Sequence, residues 1–94
     1  MITIRGNDFW RGTEKLGYIL DNDIYDYNGK KLGYFEGTHI YDFSARKIAY
    51  IQGNEVISIA DEDLRFKLDE NRRRVSGGAL SDVARAAVRL LIGD

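Results

Sequence analysis

A period of 16 residues runs through this chain and limits what it can fold into. Tyr18, Tyr34, Tyr50 and Phe66 each follow a branched aliphatic two positions upstream: Leu16, Leu32, Ile48 and Leu64. A fixed period means that one supersecondary unit was copied, so the fold follows from the unit. The copies read GNDFWRGTEKLGYIL, DNDIYDYNGKKLGYFE, GTHIYDFSARKIAYIQ and GNEVISIADEDLRFKL. The first is one residue short, between Trp10 and Leu16. The fourth keeps the length but drifts in identity, with Arg65 answering Gly33 and Ala49, as a terminal copy does.

Each copy holds two short runs rich in Ile, Val, Tyr, Phe and Trp, bounded by Gly, Asn and Asp, which predicts strand–turn–strand. Asn28-Gly29 is a hairpin signal because both residues tolerate positive φ. The links between copies (Arg5-Gly6-Asn7, Leu20-Asp21-Asn22, Glu36-Gly37-Thr38, Gln52-Gly53-Asn54) are too short for a helix. Successive strands are therefore expected to be antiparallel. Alternation puts Tyr25 with Tyr27, Tyr41 with Phe43, and Leu32 with Tyr34 on shared faces, and Gly33 beside Phe35 on the opposite one. Small residues at 17, 33 and 49 leave room for a neighbouring ring or a close backbone approach. The fold expected is mainly β: an antiparallel meander of four repeated hairpins, closed into a pseudo-four-fold ring or barrel with an aromatic interior, plus one C-terminal α-helix. On this reading Tyr18, Tyr34, Tyr50 and Phe66 are periodic core.

Two regions follow: a hairpin-repeat domain over 1–68, and a connector and helix over 69–94. Residues 1–5 (MITIR) resemble half a unit and are expected to pair with the last copy and close the ring. Residues 69–74 (DENRRR) read as a charged connector, and Ser76-Gly77-Gly78 as a flexible joint. The spacing predicts a helix over 79–92, starting at Ser81 and Asp82 and ending at Gly93. Leu80, Val83, Ala84, Ala87, Val88 and Leu91 fall on one face, with Asp82, Arg85 and Arg89 opposite. That stripe is expected to pack on the sheet or, as an interaction face, on a partner subunit.

Ninety-four residues make one domain with a modest core. Cysteine is absent, which removes thiol chemistry and disulfides and fits a reducing, cytoplasmic compartment. No apolar run is long enough to span a bilayer, so no membrane association is expected. Residues 1–63 carry eleven acidic against seven basic side chains, and residues 64–94 four against seven. Such asymmetry can mark a polyanion-binding tail, with Arg72, Arg73 and Arg74 as the candidate phosphate contacts, helped by Arg65, Arg85 and Arg89. Asp69, Glu70 and the stretch Ala60-Asp61-Glu62-Asp63 favour a solvated charged connector instead.

The sequence offers no catalytic constellation and no cofactor motif. His39 is the only histidine, at the unit position of Asp8, Asp23 and Glu55, and reads as an exposed turn residue. No metal site is expected. Asp26 and Asp42 share one unit position, where a carboxylate pair could serve acid–base work; the favoured reading is that they face solvent or accept backbone hydrogen bonds near the turn. Trp10, Tyr25 and Tyr41 are candidates to line a ligand site at the mouth of the ring, although core is the favoured role.

The frame NDIYDYNGKKLGYFEGTHIYDFSARKIAYIQGN resembles the four-fold beta-flower domains of bacteria, built from repeats of the type G-x-x-I-Y-D-x-x-G-x-x-I-G-Y-I. The resemblance covers about residues 1–68 and is strongest from Asn22 to Asn54. It implies a symmetric flower of hairpins and no particular activity. The function expected is non-catalytic binding through a homo-oligomer or a protein partner; the alternative is nucleotide or nucleic-acid binding by the arginine-rich C-terminal region.

Overall fold

The computed structural model describes residues 1–59 and 64–93. Its strands are β1 (Ile2–Arg5), β2 (Asp8–Arg11), β3 (Glu14–Leu20), β4 (Asp23–Asp26), β5 (Lys31–Glu36), β6 (His39–Asp42), β7 (Lys47–Gln52), β8 (Glu55–Ser58), β9 (Arg65–Lys67) and β10 (Val75–Ser76). Helix α1 (Leu68–Arg74) lies between β9 and β10, and α2 (Asp82–Val88) runs on into a π-helical turn, Arg89–Gly93. The acidic stretch at 60–63 lies outside the described residues.

Each copy forms its antiparallel hairpin and each link turns tightly into the next, so β1 to β9 are neighbours in chain order. The links reverse over two residues, with positive φ at Gly6, Asp21, Gly37 and Gly53, the geometry that matches the strand twist. The expected closure does not occur. β1 pairs with β2 and, in parallel, with β10 (Ile2 opposite Val75, Thr3 opposite Ser76), not with the last copy. β9 and β10 are the two sheet edges, joined only through α1. Ten strands laid flat would span about 43 Å at the usual strand spacing, yet the longest dimension of the molecule is 32 Å. The sheet therefore curls, and α1, about 10 Å long, bridges its open seam.

Parity along the strands decides which face is core. Ile4, Phe9, Ile24, Ile40, Ala49 and Val56 are buried on the face covered by α2. Gly17 and Gly33 lie on the same face, and a Cβ on either would overlap a carbonyl oxygen of the next strand, that of Tyr25 or Tyr41. At 17 and 33 the glycine thus answers a close backbone approach rather than a neighbouring ring. Tyr18, Tyr34 and Tyr50 are not core: they lie half-buried on the opposite face. Phe66 alone of the four is buried. The cause is a register shift present in the first three hairpins, at Phe9/Trp10, Ile24/Tyr25 and Ile40/Tyr41. Among its described pairs the fourth hairpin shows no such shift, and Phe66 stands opposite Val56, where Gly33 stands opposite Ile24. Nine residues lie between Val56 and Phe66 but eight between Ile24 and Gly33, and a difference of one turns the strand over.

The segment 69–74 is helix rather than connector: α1 carries Asp69 and Glu70 in its first turn and Arg72, Arg73 and Arg74 in its last, which suits the helix dipole at both ends. Gly77 and Gly78 are a close crossing over β1 rather than a loose joint. A Cβ on Gly77 would lie 2.7 Å from the Ile4 carbonyl oxygen, and one on Gly78 2.6 Å from Ile4 Cγ2. α2 starts as the sequence predicts, with Ser81 Oγ accepting from the Ala84 amide at 3.2 Å. Ala84, Ala86, Ala87 and Val88 are buried, and Leu80, Val83 and Leu91 pack against the same core. The stripe is thus covered within the chain. Among the described residues no helix is long and apolar enough to cross a membrane.

Candidate functional site

The outer face of the sheet is covered by its own aromatic layer. Tyr18 stacks on Tyr25 with ring centroids 5.0 Å apart, and Tyr34 on Tyr41 at 4.8 Å, the rings within 13° and 12° of parallel. Lysines lie over this layer: Lys15 Nζ is 5.7 Å from the Tyr18 centroid and Lys31 Nζ 4.9 Å from that of Tyr34. The same ammonium groups pair with Asp8 at 3.3 Å and Asp23 at 3.2 Å. Of the two tyrosines put forward from sequence, Tyr25 and Tyr41 each have one ring face taken by a partner tyrosine.

Trp10 differs. In strand pairing it holds the place of Tyr25 and Tyr41, but its cross-strand neighbour on β1 is Thr3, where the other copies supply Tyr18 and Tyr34. The Arg5 guanidinium lies 5.3 Å from its ring centroid. No second ring stacks on it among the described residues.

The shortened first copy opens a groove beside this ring. After Arg11 comes Gly12, where the next copies have Tyr27 and Phe43 after Asp26 and Asp42. The first hairpin turns through Gly12 and Thr13 alone, Arg11 pairing with Glu14. The space left is a groove of about 670 Å³ lined by Trp10, Thr13, Glu14, Lys15, Leu16 and Tyr27. Tyr27 is 68% exposed and forms one wall. Two amphipathic rings, an apolar Leu16 and polar groups of both kinds can hold an uncharged ring-bearing molecule. Sequence reasoning found Trp10 and missed Thr13, Glu14, Lys15, Leu16 and Tyr27; the signal available was the missing residue of the first copy.

The hairpin tips carry a further periodic feature. Phe43 and Ile59, the unit counterparts of Tyr27, are 69% and 47% exposed. Asp26 and Asp42 close these tips structurally. Asp26 Oδ1 accepts from the amides of Asn28 and Lys30, both at 2.9 Å, and Asp42 Oδ1 from those of Ser44 at 2.8 Å and Arg46 at 3.0 Å. The Arg46 amide, more than any other contact, holds the Asp42 carboxyl below the usual carboxylate range.

The arginines are mostly tied within the chain. Arg72 makes a two-pronged pair with Asp82, Nε to Oδ1 at 2.8 Å and Nη2 to Oδ2 at 2.7 Å. That pairing lowers the Asp82 carboxyl below its ordinary range. Arg74 pairs with Glu70 at 3.6 Å. Arg85 donates to the carbonyl oxygens of Val75 at 2.9 Å, Leu80 at 3.2 Å and Gly78 at 3.3 Å. Arg89 lies 4.0 Å from the Phe66 ring centroid and donates to Asn71 Oδ1 at 3.3 Å. Arg73 and Arg65 are exposed. His39 is not an exposed turn residue: it opens β6, is half-buried, and its Nδ1 is buried with no hydrogen-bond partner among the described residues. Among the described residues no group of three or more His, Asp or Glu could hold a metal ion.

Comparisons with protein-family models, with curated proteins and with solved structures find no match to this chain.

Proposed function

We propose that this chain is a non-catalytic binding module and that the groove between its first two hairpin tips is the binding site. One observation carries the reading: Trp10 and the exposed Tyr27 line the same groove beside the shortened first hairpin tip. A ligand ring seated there meets both aromatic side chains. The beta-flower resemblance of residues 1–68 is part of the same proposal and supplies the scaffold, not the ligand.

The test uses the stabilisation that any native-state ligand confers by mass action. A thermal-shift screen of small metabolites and oligosaccharides is expected to raise the melting temperature of the wild-type chain and to leave Tyr27→Ala unmoved. A hit that shifts both equally puts the site elsewhere.

A second reading, a protein partner or a second copy seated on the rim, is supported by the exposure of Tyr27, Phe43 and Ile59 at the same unit position. Light scattering over a range of concentrations separates a self-associating chain from a monomer. Nucleic-acid binding by Arg72, Arg73, Arg74, Arg85 and Arg89 is the weaker reading, because four of these five already have partners within the chain.

A further inference from the structure

The charges around the groove narrow the class of ligand. A phosphate or carboxylate needs a free cation. Lys15 is engaged by Asp8 at 3.3 Å, and Arg11 Nη2 donates to the Gly93 carbonyl oxygen at 2.7 Å. Glu14, which lines the groove, repels an anion. A quaternary ammonium would suit the aromatic walls, but Lys15 in the groove lining and Arg5 beside the Trp10 ring set like charges against it. What remains is an uncharged ligand with an apolar ring face and many hydroxyl groups. Glu14 is an acceptor only, Thr13 both donates and accepts, and Lys15 donates. A saccharide meets all three, and its polarised C–H bonds seat on the electron-rich face of an indole ring.

We infer that the groove binds a neutral saccharide, with one pyranose ring stacked on Trp10, Tyr27 as the facing wall, and sugar hydroxyls donating to the Glu14 carboxylate. This rests on the groove being the binding site. A volume of about 670 Å³ admits more than a single sugar ring, and a wall as exposed as Tyr27 leaves the groove open along the rim. It therefore takes a segment of a chain rather than an enclosed monosaccharide.

Trp10 is the only tryptophan, so fluorescence excited beyond the tyrosine absorption band reports on the groove. Titrating the full chain with neutral cello-, xylo-, malto- and chito-oligosaccharides is expected to give a saturable change for at least one series. The dissociation constant should be on the order of 1 mM and change less than about twofold between low and high salt, since no ligand charge is screened. Tyr27→Ala and Glu14→Gln should each weaken binding at least about fivefold, which is roughly 1 kcal/mol, while Tyr27→Phe keeps most of it. Both side chains are exposed, and circular dichroism checks that the variants fold. Saturable binding of nucleosides or of tetramethylammonium with no response to any saccharide overturns the ligand class and leaves the groove standing. Unchanged affinity in both Tyr27→Ala and Glu14→Gln, or no response to any of these probes, overturns the groove itself.

Discussion

Gly33 has no room for a side chain. A Cβ there would overlap the Tyr41 carbonyl oxygen and lie 2.8 Å from Leu91 Cδ1, which itself packs into the core. Gly33→Ala is accordingly expected to cost about 2 kcal/mol, a fall of roughly 10 °C in melting temperature for a domain of this size. Ala45 is the opposite case. It sits at φ 64°, where its counterpart Gly29 sits at φ 85°. A side chain in the left-handed region is strained, and glycine removes that strain at some cost in chain entropy. Ala45→Gly should therefore stabilise the fold by about 0.5 kcal/mol, seen as a higher urea midpoint at unchanged slope. An unchanged or lower midpoint for this variant would show that the third tip relaxes without glycine. At this scale the sequence was informative about the need for small residues at 17, 33 and 49, because the period put them in line. It was silent on why 17 and 33 are glycine, since a carbonyl on the next strand has no signature in residue type.

Strand parity and helix charge govern the elements. The two-residue alternation was legible within every strand, and it put Gly33 and Phe35 on one face and Tyr34 on the other. What it misassigned was which face is core, since Tyr18, Tyr34 and Tyr50 were expected inside and lie on the outer face. Both faces are aromatic or aliphatic, and the choice depends on where α2 lands. The changed register of the fourth hairpin was equally hidden, because the count of 16 is kept while the pairing moves by one residue. α1 was readable in retrospect from Asp69 and Glu70 preceding Arg72, Arg73 and Arg74. Its tie to α2 predicts a pH dependence. The Asp82 carboxyl is lowered in the folded chain by Arg72, so the unfolded chain takes up the proton more readily. The tie is fully present above the unfolded carboxylate value near 3.9 and is lost as pH falls through the lower folded value. Melting temperatures from pH 6 down to 2.5 should fall less steeply for Asp82→Asn than for the wild-type chain. Parallel profiles would mean that the pair contributes nothing to the acid limb.

The molecule as a whole depends on its last quarter. α2 supplies Ala84, Ala86, Ala87 and Val88 to the core, and Arg85 fastens 75–80 to it through three carbonyl oxygens. Ending the chain at Gly78 strips the concave face and is expected to abolish the cooperative thermal transition followed by circular dichroism; a sharp transition in the shortened chain would make the sheet self-sufficient. Of the groove, only Trp10 was visible beforehand. The rest of the lining flanks the shortened first turn, and the effect of the missing residue there is spatial. The seam spanned by α1 has a consequence of another kind. Tandem units are gained and lost by slippage, and each added unit would insert two strands, about 10 Å of arc, between the edges that seven helical residues now join. A chain with a fifth unit would therefore need a longer bridge than the seven residues of α1.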